Sequence, residues 1–251
     1  MNAEMDCMVV TQKEFQILAV LGGLGRFCGF DLEEKLPETR EELWPLLLQM
    51  AQKDEIFARE EIQENGEMGS FELTPYLRQA LSVLNSCERM VAIYPGSEDC
   101  PSKCIYVADW GGTVVLQNSA VNSLELKIFF SDQPEPLNPV WDSIKETGHT
   151  LPEERESMDT KTLPFDGSYV DAGILWRRPD VLLLMEVINA ATAQIEGRCV
   201  LAEEGIYPMM LLQKRGEQRK EHLSKQGIQE FLGGYFHDNG RRICPGSWTD
   251  L

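Results

Sequence analysis

Met90-Val91-Ala92-Ile93-Tyr94, then Cys104-Ile105-Tyr106-Val107-Ala108-Asp109, then Thr113-Val114-Val115-Leu116-Gln117: three short runs rich in Val, Ile and Tyr, separated by Pro95-Gly96 and Gly111-Gly112. β-branched and aromatic residues bounded by Gly and Pro fit strands joined by turns, so this stretch reads as a β-meander. A second set of the same texture follows at Val181–Ile188, Gln194–Ala202 and Tyr207–Gln213, with Glu203-Glu204-Gly205 as a turn. Residues 214–224 extend its last strand or form a hairpin. Ser224 then opens a helix that carries Ile228, Phe231, Leu232 and Tyr235 on one side. After the first meander, Ser119 can cap a helix carrying Val121, Leu124 and Ile128, but the alternation of Leu124, Leu126 and Ile128 suits a strand equally, and periodicity leaves both readings open.

Working outward, both halves show strand, strand, turn, strand and helix, beginning near Arg89 and near Asp180. Residue identity between them is at chance level, so the shared pattern alone argues for an internal pseudo-repeat, and two unrelated meanders remain the alternative. The expected class is α+β: a quasi-two-fold, mostly antiparallel central sheet built from both meanders, with helices packed on it. Three helices precede the first meander. Thr11 with Glu14, and Thr39 with Glu42, have the T-x-x-E spacing of a capping box, and Thr74-Pro75 places Pro at a first helical position. Gly22, Gly23 and Gly25 end the first helix; Pro45 predicts a kink or restart in the second. Ile56–Glu60 and Ser70–Leu73, around Asn65-Gly66, suit a small hairpin. Periodicity predicts that Leu18, Leu47, Leu77, Leu81, Val91, Ile105, Val115, Leu183 and Phe231 are buried, with the three helices on one face of the sheet. The expected organisation is 1–130 for the helices, first meander and its helix, 131–172 for a proline-rich linker with a short helix near Trp141–Glu146, and 173–251 for the second meander, its helix and a loose tail. Together these make one compact domain.

The net charge of −18 sets the class of partner. Binding phosphate requires Lys and Arg to displace counterions, so nucleic acid and anionic lipid are excluded as partners. The start, MNAEMDCMVV, has neither the basic nor the long apolar stretch of a signal peptide, and no run approaches a membrane span. Seven cysteines, an odd number, fit free thiols in a reducing compartment, the cytoplasm.

Chemistry is sparse. The three histidines, His149, His222 and His237, fall in separate polar segments. Cys100 and Cys104 do not have redox-motif spacing, and no second ligand pair follows at zinc spacing. Gly22-Gly23-Leu24-Gly25 follows a helix, whereas phosphate loops follow a strand. Lys214, Arg215, Arg219 and Lys220 form a basic patch interrupted by Glu217 and Glu221, without interleaved aromatics. The expectation is a non-catalytic chain with no cofactor and no metal.

One family shares the order of these parts. Glu14-Phe15-Gln16-Ile17-Leu18, then Thr39-Arg40-Glu41-Glu42-Leu43 leading to Ile56-Phe57-Ala58, then the segment from Leu73-Thr74-Pro75 to Leu84, resemble the EspG proteins, cytosolic chaperones of type VII secretion. The resemblance covers about 11–130 and, more loosely, 180–236. It implies a quasi-two-fold α+β core with helical bundles on the sheet, and a function in keeping secreted PE–PPE heterodimers soluble and delivering them for export. The second bundle, due between about 131 and 179, is short and broken by prolines here, so WXG-type and LXG-type secreted helical proteins are expected clients alongside PE–PPE. The oligomeric state stays open.

The loop between the first two strands, residues 95–103, exceeds the roughly two to five residues of ordinary hairpins. Long loops on a rigid sheet concentrate function, and its prolines reduce the entropy lost on docking. The resemblance adds that the family grips its client with the corresponding loop. Pro95, Gly96, Ser97, Glu98, Asp99 and Ser102 are the candidate partner-binding residues. The readings set against a chaperone are an immunity protein that neutralises a toxin and an enzyme of unrecognised type.

Overall fold

A computed structural model describes residues 7–24, 27–30, 39–53, 56–58, 72–96, 100–108, 112–118, 125–131, 138–148, 181–204, 207–214, 217–222 and 224–236. Expectations for 59–71, 119–124, 149–180 and 237–251 lie outside these residues.

The described residues open with a strand that the sequence pattern did not suggest, β1 (Cys7–Thr11), running directly into α1 (Gln12–Leu21). The junction is a complete capping box: the Glu14 N–H donates to Thr11 Oγ1 at 3.2 Å, and the Thr11 N–H donates to Glu14 Oε2 at 2.8 Å. Gly22 ends α1, its N–H bonded to the Leu18 carbonyl, and Gly23 takes a φ of +72°, a left-handed conformation that glycine adopts without a Cβ penalty. α2 (Arg40–Met50) starts at Thr39, whose hydroxyl accepts from the Glu42 N–H at 3.3 Å. Of the expected kink or restart at Pro45, the restart does not occur: α2 runs through the proline as one helix. Pro45 and Glu41 are both exposed, so the carbonyl four residues back that loses its donor is open to water. β2 (Phe57–Ala58) and β3 (Glu72–Leu73) form the expected small antiparallel pair. α3 (Pro75–Ser86) has Thr74 as its cap and Pro75 at its first position.

The first meander is β4 (Cys87–Pro95), β5 (Lys103–Ala108), β6 (Thr113–Asn118) and β7 (Glu125–Ser131), followed by α4 (Asn138–Glu146). The ambiguous segment is thus a strand over 125–131: β7 pairs with β6 on one side and β1 on the other, a tertiary context that settles what periodicity left open. The second meander is β8 (Val181–Asn189), β9 (Ile195–Glu204), β10 (Tyr207–Lys214) and β11 (Glu217–His222), followed by α5 (Lys225–Gly233). Of the two alternatives for 214–224, the strand over 217–222 pairs back antiparallel on β10.

All nine long strands join one antiparallel sheet in the order β1-β7-β6-β5-β4-β8-β9-β10-β11. The meanders meet through their first strands, β4 and β8. The quasi-two-fold shows in the register. Val91↔Ile105 in the first half corresponds to Met185↔Cys199 in the second, and Ile93↔Met185 across the centre corresponds to Val91↔Val187. The pseudo-axis passes at the pair Ala92↔Glu186.

Alternation sorts the side chains into two layers. Met90, Ala92, Cys104, Tyr106, Val114 and Leu116 pack beneath α1, α2 and α3 with Phe15, Leu18, Leu47, Met50, Leu77 and Leu81. Val91, Ile93, Ile105, Val115, Leu183, Met185, Val187, Cys199 and Leu201 face the other way, against Val140, Trp141 and Ile144 of α4 and Ile228, Phe231 and Leu232 of α5. The three N-terminal helices do share one face, and every residue expected to be buried is buried. The short helix in the proline-rich segment is part of the core: Val140 and Ile144 are fully buried.

Candidate partner-binding loop

Pro95 is the last residue of β4. It is buried and paired with Leu183 in β8. The Gly96 N–H donates to the Leu182 carbonyl at 2.8 Å, and a Cβ built at Gly96 would collide with the backbone oxygen of Val181. Glycine is needed here for close approach to the neighbouring strand. On the returning side, Ser102 is half-buried and its carbonyl accepts from the Asn118 N–H at 3.3 Å. Both roots of the loop are tied to adjacent strands. Ser97, Glu98 and Asp99 lie outside the described residues.

Lys103, the first residue of β5, anchors the base. Its side chain is only 5% exposed, and Nζ donates to both carboxylate oxygens of Glu146 at 2.9 Å. Glu146 ends α4 and is 40% exposed. The buried partner is the one whose stranding costs most, because an ammonium without an acceptor loses its hydration uncompensated. Glu146→Ala is expected to lower stability by about 1–2 kcal/mol, less than for a fully buried pair because water reaches the vacated site. Lys103→Met is expected to cost less, since it removes the buried charge and leaves Glu146 in solvent. Urea unfolding of the two variants checks the order; equal losses, or a larger loss for Lys103→Met, contradict it.

At the other end of β4 a cavity of about 370 Å³ is lined by Phe27, Cys28, Leu84, Cys87, Tyr106 and neighbouring residues. Tyr106 Oη donates to the Cys28 carbonyl at 2.6 Å. Burial pushes the Cys104 thiol up to about 12, with the nearby Cys28 adding to the rise and a hydrogen bond with Tyr106 working against it. Burial likewise raises Cys28, Tyr94 and Tyr106. These groups are neutral near pH 7, so the cluster presents no thiolate nucleophile there. Because Cys104 is raised above its ordinary value of 9.0, the folded state holds the proton more tightly than the unfolded chain. The stabilisation is complete below about pH 9 and is lost as pH rises toward about 12. Urea titrations between those values should show falling stability, and Cys104→Ala should flatten that slope. An unchanged slope in the variant contradicts this assignment.

Of the histidines, His222 closes the β10·β11 pairing opposite Met209, while His149 and His237 lie outside the described residues. Cys100 is half-buried and free, and Cys104 is buried and free. Among the described residues, no group of three or more His, Cys, Asp or Glu is placed to hold a metal, and no helix is long and apolar enough to cross a membrane. Sequence reading found the loop by its length and its prolines. It missed the Lys103–Glu146 anchor, whose partners lie 43 residues apart.

No protein-family model matches the sequence, and no curated protein matches it. The fold does have a counterpart among solved structures. The type VII secretion system chaperone EspG5 of Mycobacterium tuberculosis, solved in complex with a PE25–PPE41 dimer, superposes with a TM-score of 0.54 over 90% of this chain and 94% of that chain, at 11% identity. At that identity the likeness is one of fold, and it extends over nearly the full length of both proteins.

Proposed function

We propose that this protein is a non-catalytic chaperone or adaptor of the cytoplasm that binds a secreted helical protein, keeps it soluble and hands it on for type VII export. The observation that carries this reading is the full-length fold likeness to EspG5, a chaperone captured with a secreted heterodimer. The order of helices and meanders agrees with the sequence motifs at Glu14–Leu18, Thr39–Leu43 and Leu73–Leu84. The loop with Pro95, Gly96, Ser97, Glu98, Asp99 and Ser102 is the proposed grip. Its tied roots limit the conformational entropy lost on docking. Glu98 and Asp99 would meet polar or basic groups and set on-rate and specificity, while an apolar helical tip of the client supplies the buried anchor.

The test has two stages. A pull-down with the full chain from its native host identifies the partner. A small secreted helical protein of PE–PPE, WXG or LXG type supports the proposal, and a toxin domain as sole partner contradicts it. Calorimetry then compares the parent with a variant in which 96–102 is shortened to a two-residue turn. Loss of affinity with folding retained is expected; unchanged affinity removes the loop from the interface.

A further inference from the structure

The sheet has two edges, and they differ in chemistry. β11 reads Glu217-Gln218-Arg219-Lys220-Glu221-His222, a heavily charged strand at the end of the order. Charge on an edge opposes pairing with another chain, which is how soluble sheet proteins protect themselves. β1, at the opposite end, reads Cys7-Met8-Val9-Val10-Thr11 and carries no charge. Its inner side pairs with β7 from Cys7↔Phe129 to Thr11↔Glu125. Among the described residues, no strand lies on its outer side. Met8 and Val10 are buried in the layer under α1, but Val9 points to the other face and is 40% exposed. Among the described residues of β1, Val9 is thus the large apolar side chain left open to solvent.

We propose that β1 is a homodimer edge: two copies pair β1 with β1 antiparallel about Val9, joining two nine-stranded sheets into one. The register that uses the whole strand sets Val9 against Val9, Met8 against Val10 and Cys7 against Thr11. Every position then meets one of similar polarity, in the antiparallel arrangement that every other junction of this sheet uses. The two-fold stands perpendicular to the sheet, so both copies of α1 come to lie on the same face. Charge selects the occupant. At −18, two copies repel wherever carboxylates face each other, and β1 is a strand on which they can meet with no charge opposite another. A basic partner would gain nothing from an uncharged edge. The repulsion that remains lies away from the strand and is screened over about 8 Å at physiological ionic strength. Self-association through β1 therefore tightens as salt rises, the reverse of an acidic chain binding a basic protein.

The experiment is sedimentation velocity on the full chain across a concentration series at low and high salt. A dimer that grows with concentration, and at least severalfold tighter in high salt, is expected. Val9→Lys places two like charges across the pair and should weaken the dimer at least tenfold, with the circular dichroism unchanged and the urea midpoint unchanged at a concentration where the parent is monomeric. Val9→Cys provides a second readout that does not depend on that variant folding. Mild oxidation should link two copies through residue 9, whereas the native Cys7 pair, about 14 Å apart at about 3.4 Å per residue along the strands, should not link. A monomer at every concentration overturns the proposal, as does a dimer that Val9→Lys leaves intact, or a Val9→Cys chain that does not cross-link.

Discussion

Arg198→Met should destabilise the protein by about 3–5 kcal/mol, the cost of leaving a buried carboxylate without its partner. Arg198 Nε donates to Glu186 Oε1 at 2.6 Å between paired positions on β9 and β8. The Arg198 and Glu186 side chains are only 13% and 7% exposed. Water cannot take over the role of the guanidinium at Glu186, so the lost charge partner is not replaced. The double variant Glu186→Met with Arg198→Met should lie within about 1 kcal/mol of the parent, because a buried ion pair and a well-packed apolar pair are often nearly equivalent. The molecule itself offers the apolar solution. By the pseudo-two-fold, Glu186↔Arg198 corresponds to Ala92↔Cys104 in the first half, where the same site is filled without charge. Urea unfolding of both single variants and the double variant tests this. A loss below about 1 kcal/mol for Arg198→Met, or a double variant as poor as the single one, would show that the pair is not holding the sheet.

The parts of this fold that were readable from sequence are those fixed by neighbours in the chain. Caps at Thr11, Thr39, Thr74 and Ser224 depend on residues within one turn, and each forms. The apolar rhythm of Leu77, Leu81 and Leu84 needs only the helical repeat. The meanders were readable because Pro and Gly mark their turns, and the repeated order of elements pointed to the quasi-two-fold sheet. What stayed hidden depends on partners far away in sequence. β1 becomes a strand only because β7 lies beside it, and β7 becomes a strand only because β1 and β6 flank it. Glu186 interrupts an apolar run, and nothing local reveals that Arg198 neutralises it. At the candidate loop, length and prolines drew attention to 95–103, but nothing local singles out Lys103, whose partner lies 43 residues away, and the reason for glycine at 96 lies in β8.

Gly96 connects that packing to the proposed grip, and Gly96→Val is expected to cost about 3 kcal/mol, the upper range for forcing atoms into a filled site. The obstacle is the backbone oxygen of Val181, with the Leu182 carbonyl also close, so no side-chain rotamer change can make room. Either β8 or the root of the loop must move. Moving the root gives up the bond from the Gly96 N–H to the Leu182 carbonyl and swings the segment that follows away from β8. Pro95 cannot absorb the shift, because it is itself paired with Leu183 and its ring fixes φ. Two effects should therefore appear together: a lower urea midpoint and weaker binding of the client found by pull-down. Alanine at Glu98 and Asp99 separates them, since those substitutions leave the root intact. They should reduce affinity, mainly through a slower on-rate at low salt, while the unfolding free energy stays within about 0.5 kcal/mol of the parent. If Gly96→Val loses stability but binds as the parent does, the close packing at 96 serves the fold alone and the grip lies elsewhere on the protein.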